Sequence, residues 1–121
     1  MSRFSESAKK SLKSSRVMEG RTKVKLDKVM EDYPNGVTVD EFDILHNAKG
    51  EEYVVLHIKG TDLYFNGGAL ALQIATGWVN DFDGDAMTAS DELKGEGGCT
   101  FKLGKKPTKN GNTLTTYTIV D

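Results

Sequence analysis

The chain has few cysteines and no long apolar run, which are the features that disulfide-rich, membrane-spanning and secreted proteins need. Its one cysteine, Cys99, excludes an intramolecular disulfide framework and leaves a free thiol. No apolar run approaches the roughly 18 residues of a membrane-spanning helix. The basic N-terminal stretch is not followed by the apolar segment of a secretory signal. We therefore expect a cytoplasmic protein that does not enter a membrane.

Signatures of catalysis and of cofactor binding are also missing. His46 and His57 have no cysteine or carboxylate at the sequence spacing of a metal site, and no GxSxG occurs. The glycines of NGG at 66–68 stand between a strand and a helix, but they lack the P-loop lysine and the full dinucleotide spacing. Cys99 lies in no recognisable nucleophile signature. The sequence predicts a protein that is not an enzyme and that holds no cofactor or metal.

One acidic segment has the spacing of a calcium-binding loop, with its carboxylates at Asp81, Asp83, Asp85 and Glu92. Ala86 occupies the position where that loop needs a glycine for its sharp turn. The pattern therefore favours a solvated acidic turn, in which Asp85 or Thr88 caps the helix that follows.

Charge is distributed unevenly along the chain, although the net charge is only −2. Residues 1–28 carry nine Lys or Arg and three acids, residues 29–98 three Lys and fourteen acids, and residues 99–121 four Lys and one acid. Such asymmetry indicates either an acidic partner such as nucleic acid, or basic ends that fold against the acidic middle.

Hydrophobic periodicity predicts an α+β domain over residues 18–121, preceded by a flexible basic segment over residues 1–17 that has too few apolar residues to fold alone. A short helix should end before Pro34. The predicted strands are 37–45, 52–60, 61–65, 99–103 and 113–120, with helices at 69–82 and 86–98 between the third and fourth strands. The apolar alternation slips between Val39 and Phe42, which predicts a β-bulge near Asp40–Glu41.

The last two strands form a hairpin whose loop is rich in lysine. Lys105, Lys106 and Lys109 lie beside the turn residues Pro107 and Gly111. Lysines on an edge hairpin can keep it soluble and prevent it from pairing with strands of other chains. Alternatively, they can form a surface that binds phosphates.

The order of elements and the basic hairpin KKPTKNGNTLTTYTIV resemble the small phage-type OB-fold proteins that bind single-stranded DNA. The resemblance covers Val37 to Val120 and implies a five-stranded OB-like barrel or curved antiparallel sheet with a helix between strands three and four. The N-terminal helix and the acidic middle depart from the family pattern. In such proteins the oligonucleotide crosses strands two and three, beneath loops that correspond here to 46–51 and 104–113.

The resemblance also implies the residues of the site. Three tyrosines would stack on bases: Tyr53, Tyr64 and Tyr117. The lysines that would follow the phosphates are Lys59, Lys102, Lys105, Lys106 and Lys109, and a second basic patch would comprise Arg21, Lys23 and Lys25. The implied function is single-stranded DNA binding, as an accessory protein in phage or mobile-element replication or recombination.

A second hypothesis comes from the acidic segment 81–96. A small phage-encoded inhibitor could use it to mimic nucleic acid on a basic protein partner, with six carboxylates in contact: Asp81, Asp83, Asp85, Asp91, Glu92 and Glu96. Lysines clustered beside exposed tyrosines would favour DNA binding, whereas a continuous carboxylate patch would favour the inhibitor.

Overall fold

A computed structural model describes residues 17–120 of the chain. Within this range the elements are β1 (Thr22–Lys23), α1 (Leu26–Asp32), β2 (Val37–His46), β3 (Glu52–Ile58), β4 (Leu63–Asn66), α2 (Gly68–Asp81), α3 (Ala86–Gly95), β5 (Cys99–Pro107) and β6 (Thr113–Ile119). The α+β class is confirmed. The flexible segment predicted over residues 1–17 lies outside the described residues except for Val17. None of the three helices within residues 17–120 has the length and apolar character needed to cross a membrane.

The strands form one mixed sheet in the order β1-β4-β3-β2-β5-β6. The pairings from β4 through to β6 are antiparallel, as predicted. β1, which the sequence did not predict, pairs parallel to β4. β5 continues to Pro107 rather than ending at Leu103, because it stays paired with β6 over that length. The sheet is open, with β1 and β6 as its two edges.

The predicted β-bulge in β2 is confirmed. Val39 is opposite Ile58, but the next paired residue, Glu41, is opposite His57, so Asp40 is an extra residue on this strand. A bulge of this kind turns two consecutive side chains toward the same face. It therefore keeps Val39 and Phe42 together in the apolar core and directs both acidic residues to the other face.

The helices α2 and α3 pack on one face of the sheet, which we call the helix face; the opposite face is the outer face. The helix face carries the core, whose largest fully buried side chains include Phe42, Phe65 and Ile58. Trp78 of α2 joins two strands, since its ring centroid lies 5.3 Å from that of Phe42 and 6.1 Å from that of Phe101. Such aromatic pairs contribute about 0.5–1.5 kcal/mol each beyond their buried area.

Two glycines allow close approach of backbone at the ends of the helices. Gly98, between α3 and β5, has φ +92°, and a Cβ there would lie 2.7 Å from the carbonyl oxygen of Val39. Gly67, between β4 and α2, would place a Cβ 2.5 Å from that of Ala71. These connections hold both helices against the sheet.

Candidate functional site

Two of the three predicted stacking residues share the outer face. Tyr64 of β4 is opposite His57 of β3. Tyr53 lies four positions before His57 on β3, and because side chains alternate along a strand, both point to the same face. Both tyrosines are partly exposed. Counted from β2, their strands β3 and β4 are the second and third, the pair that the resemblance to OB-fold proteins predicts for oligonucleotide binding.

Tyr117 of β6 lies on the helix face instead. Its ring meets Phe101 edge to face, with centroids 5.6 Å apart and planes at 87°. Its hydroxyl donates a hydrogen bond of 2.5 Å to the carbonyl oxygen of Gly67. Burial raises the pKa of this phenol far above its ordinary value of 10. Tyr117 therefore joins β6 to the start of α2 and does not share a surface with Tyr53 and Tyr64.

The hairpin lysines divide between the two faces. Thr38 and Thr100 are paired on the outer face, so strand alternation places Lys102 and Lys106 there as well. Lys105 points the other way, and its Nζ lies 2.7 Å from Oδ1 of Asp27 in α1. Lys109 is exposed in the loop after β5. The outer face thus holds two of these lysines, and Lys105 contacts α1 instead.

The remaining predicted cations have different environments. Lys23 is exposed on β1 opposite Tyr64, and Lys25 is exposed just before α1. Lys59 follows β3, and its Nζ donates to the carbonyl oxygen of Gly97 at 2.8 Å. Arg21 is mostly buried and is paired with Glu41. Lys23 is therefore the member of this group that lies beside a stacking candidate.

A buried cluster of charged groups surrounds His57 on the outer face. The ring Nδ1 lies 2.6 Å from Oδ1 of Asp40 and 3.4 Å from Oε2 of Glu41, and Nε2 lies 2.6 Å from the carbonyl oxygen of Thr61. Arg21 donates from Nη2 to the same Glu41 oxygen at 2.7 Å. The cluster connects β2, β3 and the segment that precedes β1.

The hydrogen bonds define where protons lie in this cluster. A carbonyl oxygen can only accept, so Nε2 of His57 must carry a hydrogen toward Thr61. Nδ1 faces Asp40 at hydrogen-bonding distance, and this contact also needs a hydrogen, either on the ring or on the carboxyl. Asp40 and His57 therefore share one further proton between them.

Glu41 remains ionised to a lower pH than an ordinary glutamate. Burial alone would raise the pKa of its carboxyl, but the hydrogen bond and charge of Arg21 outweigh that effect, aided by Lys94 and His57. The Nζ of Lys94 lies 3.6 Å from the carboxylate. The net pKa of Glu41 is lower than 4.5.

Asp40, Glu41 and His57 are also a set of donors that could hold a metal ion, since their ligand atoms lie within 4.8 Å of one another. Two ligands of a tetrahedral zinc, at about 2.0–2.1 Å from the ion, stand about 3.3 Å apart. Asp40 Oδ1 and His57 Nδ1 are closer, at 2.6 Å, and Arg21 already occupies the Glu41 oxygen. The geometry is that of a hydrogen-bonded ion cluster and does not fit a metal.

The centre of the outer face is closed. Val55 of β3 is 2% exposed and Val17 is 4% exposed, although neither belongs to the core on the helix face. Arg21 links the two strands and the N-terminal turn, since its Nη1 donates to the carbonyl oxygen of Val17 at 3.0 Å. Within residues 17–120, partly exposed rings lie on this face only at its ends, at Tyr53 and Tyr64.

The acidic segment 81–96 runs from the last residue of α2 through a turn and along α3. All six of its predicted contact carboxylates are exposed. Asp85 is the N-cap of α3, because its side chain accepts from the backbone N–H of Thr88 at 3.1 Å. Phe82, in the same turn, is 37% exposed.

No protein-family model matches this chain, and no curated protein or solved structure is significantly similar to it.

Sequence reasoning missed the ion cluster. Metal-site spacing compares a histidine with its neighbours along the chain, whereas Asp40 and Glu41 reach His57 across a strand pair. The predicted bulge, combined with the register of the β2–β3 hairpin, was the signal that could have brought these three residues together.

Proposed function

We propose that this protein binds single-stranded DNA on the outer face of β3 and β4, through the exposed rings at its two ends, beside the β5–β6 hairpin. The strand order supports the proposal. Counted from β2, five strands lie in the order third, second, first, fourth, fifth. That is the order of an OB-type sheet left open between its third and fifth strands, and OB folds bind oligonucleotides across strands two and three.

The observation that carries the proposal is the shared face of Tyr53 and Tyr64. Along β3, Tyr53 lies four positions before His57, the residue opposite Tyr64, which is about 13 Å at the rise of a strand. This distance lets each ring stack on a different base. Stacking on an aromatic ring is worth roughly 1–3 kcal/mol per base and does not depend on base identity.

The cations that support phosphate binding are those on or beside this face. Lys23 lies opposite Tyr64, Lys102 and Lys106 lie on β5, and Lys109 lies in the hairpin loop. Neutralising about four phosphates gives a log–log salt slope near −3, at roughly −0.7 per phosphate for single strands. The corresponding role is a cytoplasmic accessory protein of phage or mobile-element replication or recombination, without enzymatic activity.

Fluorescence anisotropy with a labelled thymidine oligonucleotide, at several salt concentrations, tests the proposal. The double variant Lys102→Gln/Lys106→Gln should flatten the slope by about 1.4. Lys28→Gln, an exposed lysine on α1, is the control and should leave the slope unchanged. Tyr64→Ala should weaken binding at an unchanged slope, since stacking releases no counterions. No binding by the wild-type protein, even at low salt, would reject the proposal.

A second candidate function is protein binding through the acidic segment 81–96. The exposed ring of Phe82, flanked by exposed Asp81 and Asp83, favours it, because an apolar anchor within a charged surface suits a basic partner. Inhibition of a nuclease by the wild-type protein, lost on Phe82→Ser while oligonucleotide binding is absent in both, would place this candidate first.

A further inference from the structure

The two edges of the sheet are protected very differently. β1 has two residues, Thr22 and Lys23, and both are exposed. β6 has seven residues, Thr113–Ile119, with no charged residue, no proline and no break in its register with β5. Native sheets protect their edges with short strands, lysines, prolines or bulges, since an unprotected edge pairs with other chains. β1 has two of these features and β6 has none.

The backbone of β6 offers hydrogen-bonding groups on its outer side. Val120 donates from its N–H to the carbonyl oxygen of Thr100, so even-numbered residues of this strand direct their backbone groups to β5. The backbone groups of Thr115 and Tyr117 therefore point away from the sheet. Among residues 17–120, β5 is the one strand paired with β6, and no turn or loop hydrogen bond uses these groups.

We propose that β6 pairs antiparallel with β6 of a second copy of this chain, about a two-fold axis at Thr116. The axis lies at the middle of the strand, so the whole of Thr113–Ile119 overlaps with its counterpart. Thr115 then exchanges its backbone hydrogen bonds with Tyr117 of the second copy, and the reverse pair follows by symmetry.

The chemistry of β6 favours an identical strand as its occupant. Because the strand has no charge, self-pairing brings no like charges opposite each other. Ile119 is 63% exposed, and in this register it packs beside Thr113 of the second copy, which covers apolar surface that the single chain leaves in water. The proposal uses no residue of the nucleic-acid site, so it stands or falls independently of DNA binding.

Sedimentation velocity of the full chain, from about 5 to 500 µM, tests the proposal, since one strand pair forms an interface at the small end of the range. We expect a monomer–dimer equilibrium. Ile119→Lys should weaken dimerisation by about tenfold, from the lost apolar burial and the new charge at the edge. Ala48→Lys adds the same charge in the exposed β2–β3 turn and should leave the equilibrium unchanged.

Hydrogen exchange locates the contact. The amides of Thr115 and Tyr117 should exchange more slowly at the higher concentration, because they become paired only in the dimer. A chain that stays monomeric over this range would overturn the proposal. So would a dimer in which these amides remain unprotected, or one that Ile119→Lys does not weaken. Concentration-independent protection would place another segment of the same chain on the edge and would equally reject it.

Discussion

Replacing Arg21 by methionine should destabilise the fold, because it removes the principal partner of a buried carboxylate. The substitution keeps an apolar stem of similar length and removes the guanidinium that holds Glu41 at 2.7 Å. Glu41 is 7% exposed, so its carboxylate would stay buried without its principal partner. The carbonyl oxygen of Val17 would lose a hydrogen bond as well.

The magnitude follows from the burial of the pair. Removing one partner of a buried ion pair costs about 3–5 kcal/mol. Arg21 is 20% exposed and Lys94 remains 3.6 Å from the carboxylate, so part of the loss is compensated. We expect about 2–3 kcal/mol, a large share of the roughly 5–15 kcal/mol by which domains are stable.

Urea unfolding followed by the fluorescence of Trp78 measures this loss, since that side chain is the one tryptophan and packs in the core. Lys28→Met removes one partner of an exposed pair with Asp32 and should have no measurable effect. The double variant Arg21→Met/Glu41→Gln should recover part of the stability, because no buried charge is left unpaired. If Arg21→Met unfolds at the same urea concentration as Lys28→Met, the cluster does not stabilise the fold.

The difference in the free energy of unfolding between wild type and Arg21→Met should shrink in acid. The pKa of Glu41 is lowered in the folded state, so the stability that its carboxylate contributes is present above the unfolded pKa and is lost as the pH falls through the folded pKa. Tyr117→Phe should cost about 1 kcal/mol at neutral pH, measured by urea unfolding, because it removes the hydrogen bond to the Gly67 carbonyl oxygen. Because burial raises the pKa of Tyr117, its contribution is lost as the pH rises above about 10, and alkaline titration of stability should be steeper in wild type than in Tyr117→Phe. Gly98→Ala should lower the thermal midpoint sharply, since φ +92° and a 2.7 Å contact with backbone both oppose a Cβ.

Most secondary structure could be predicted from local periodicity. The apolar stripe that includes Leu26 and Val29 placed α1, and the slip between Val39 and Phe42 placed the bulge. β1 could not be predicted in this way, because Thr22–Lys23 is too short to show alternation and both residues are exposed. It forms by pairing with β4, a contact between segments about forty residues apart.

The faces of the last strand were harder to assign. In TLTTYTIV, Leu114 falls on one face and Tyr117 and Ile119 on the other, so the apolar residues do not define a buried side. In the structure, Phe101 lies opposite Ile119 and packs against Tyr117, which places Tyr117 and Ile119 on the helix face. The partner of Lys105 likewise lies far away in sequence, on α1, where no pattern within the hairpin could indicate it.

Nuclear magnetic resonance mapping tests the proposed function most directly. Unlabelled thymidine oligonucleotide is titrated into the full ¹⁵N-labelled chain, and shifts of the backbone amides are followed. We predict that the largest shifts cluster at Tyr53, Tyr64 and Lys102–Lys106, with little change along α3. Shifts that concentrate in residues 81–96, or no shifts at low salt, would contradict single-stranded DNA binding on the outer face.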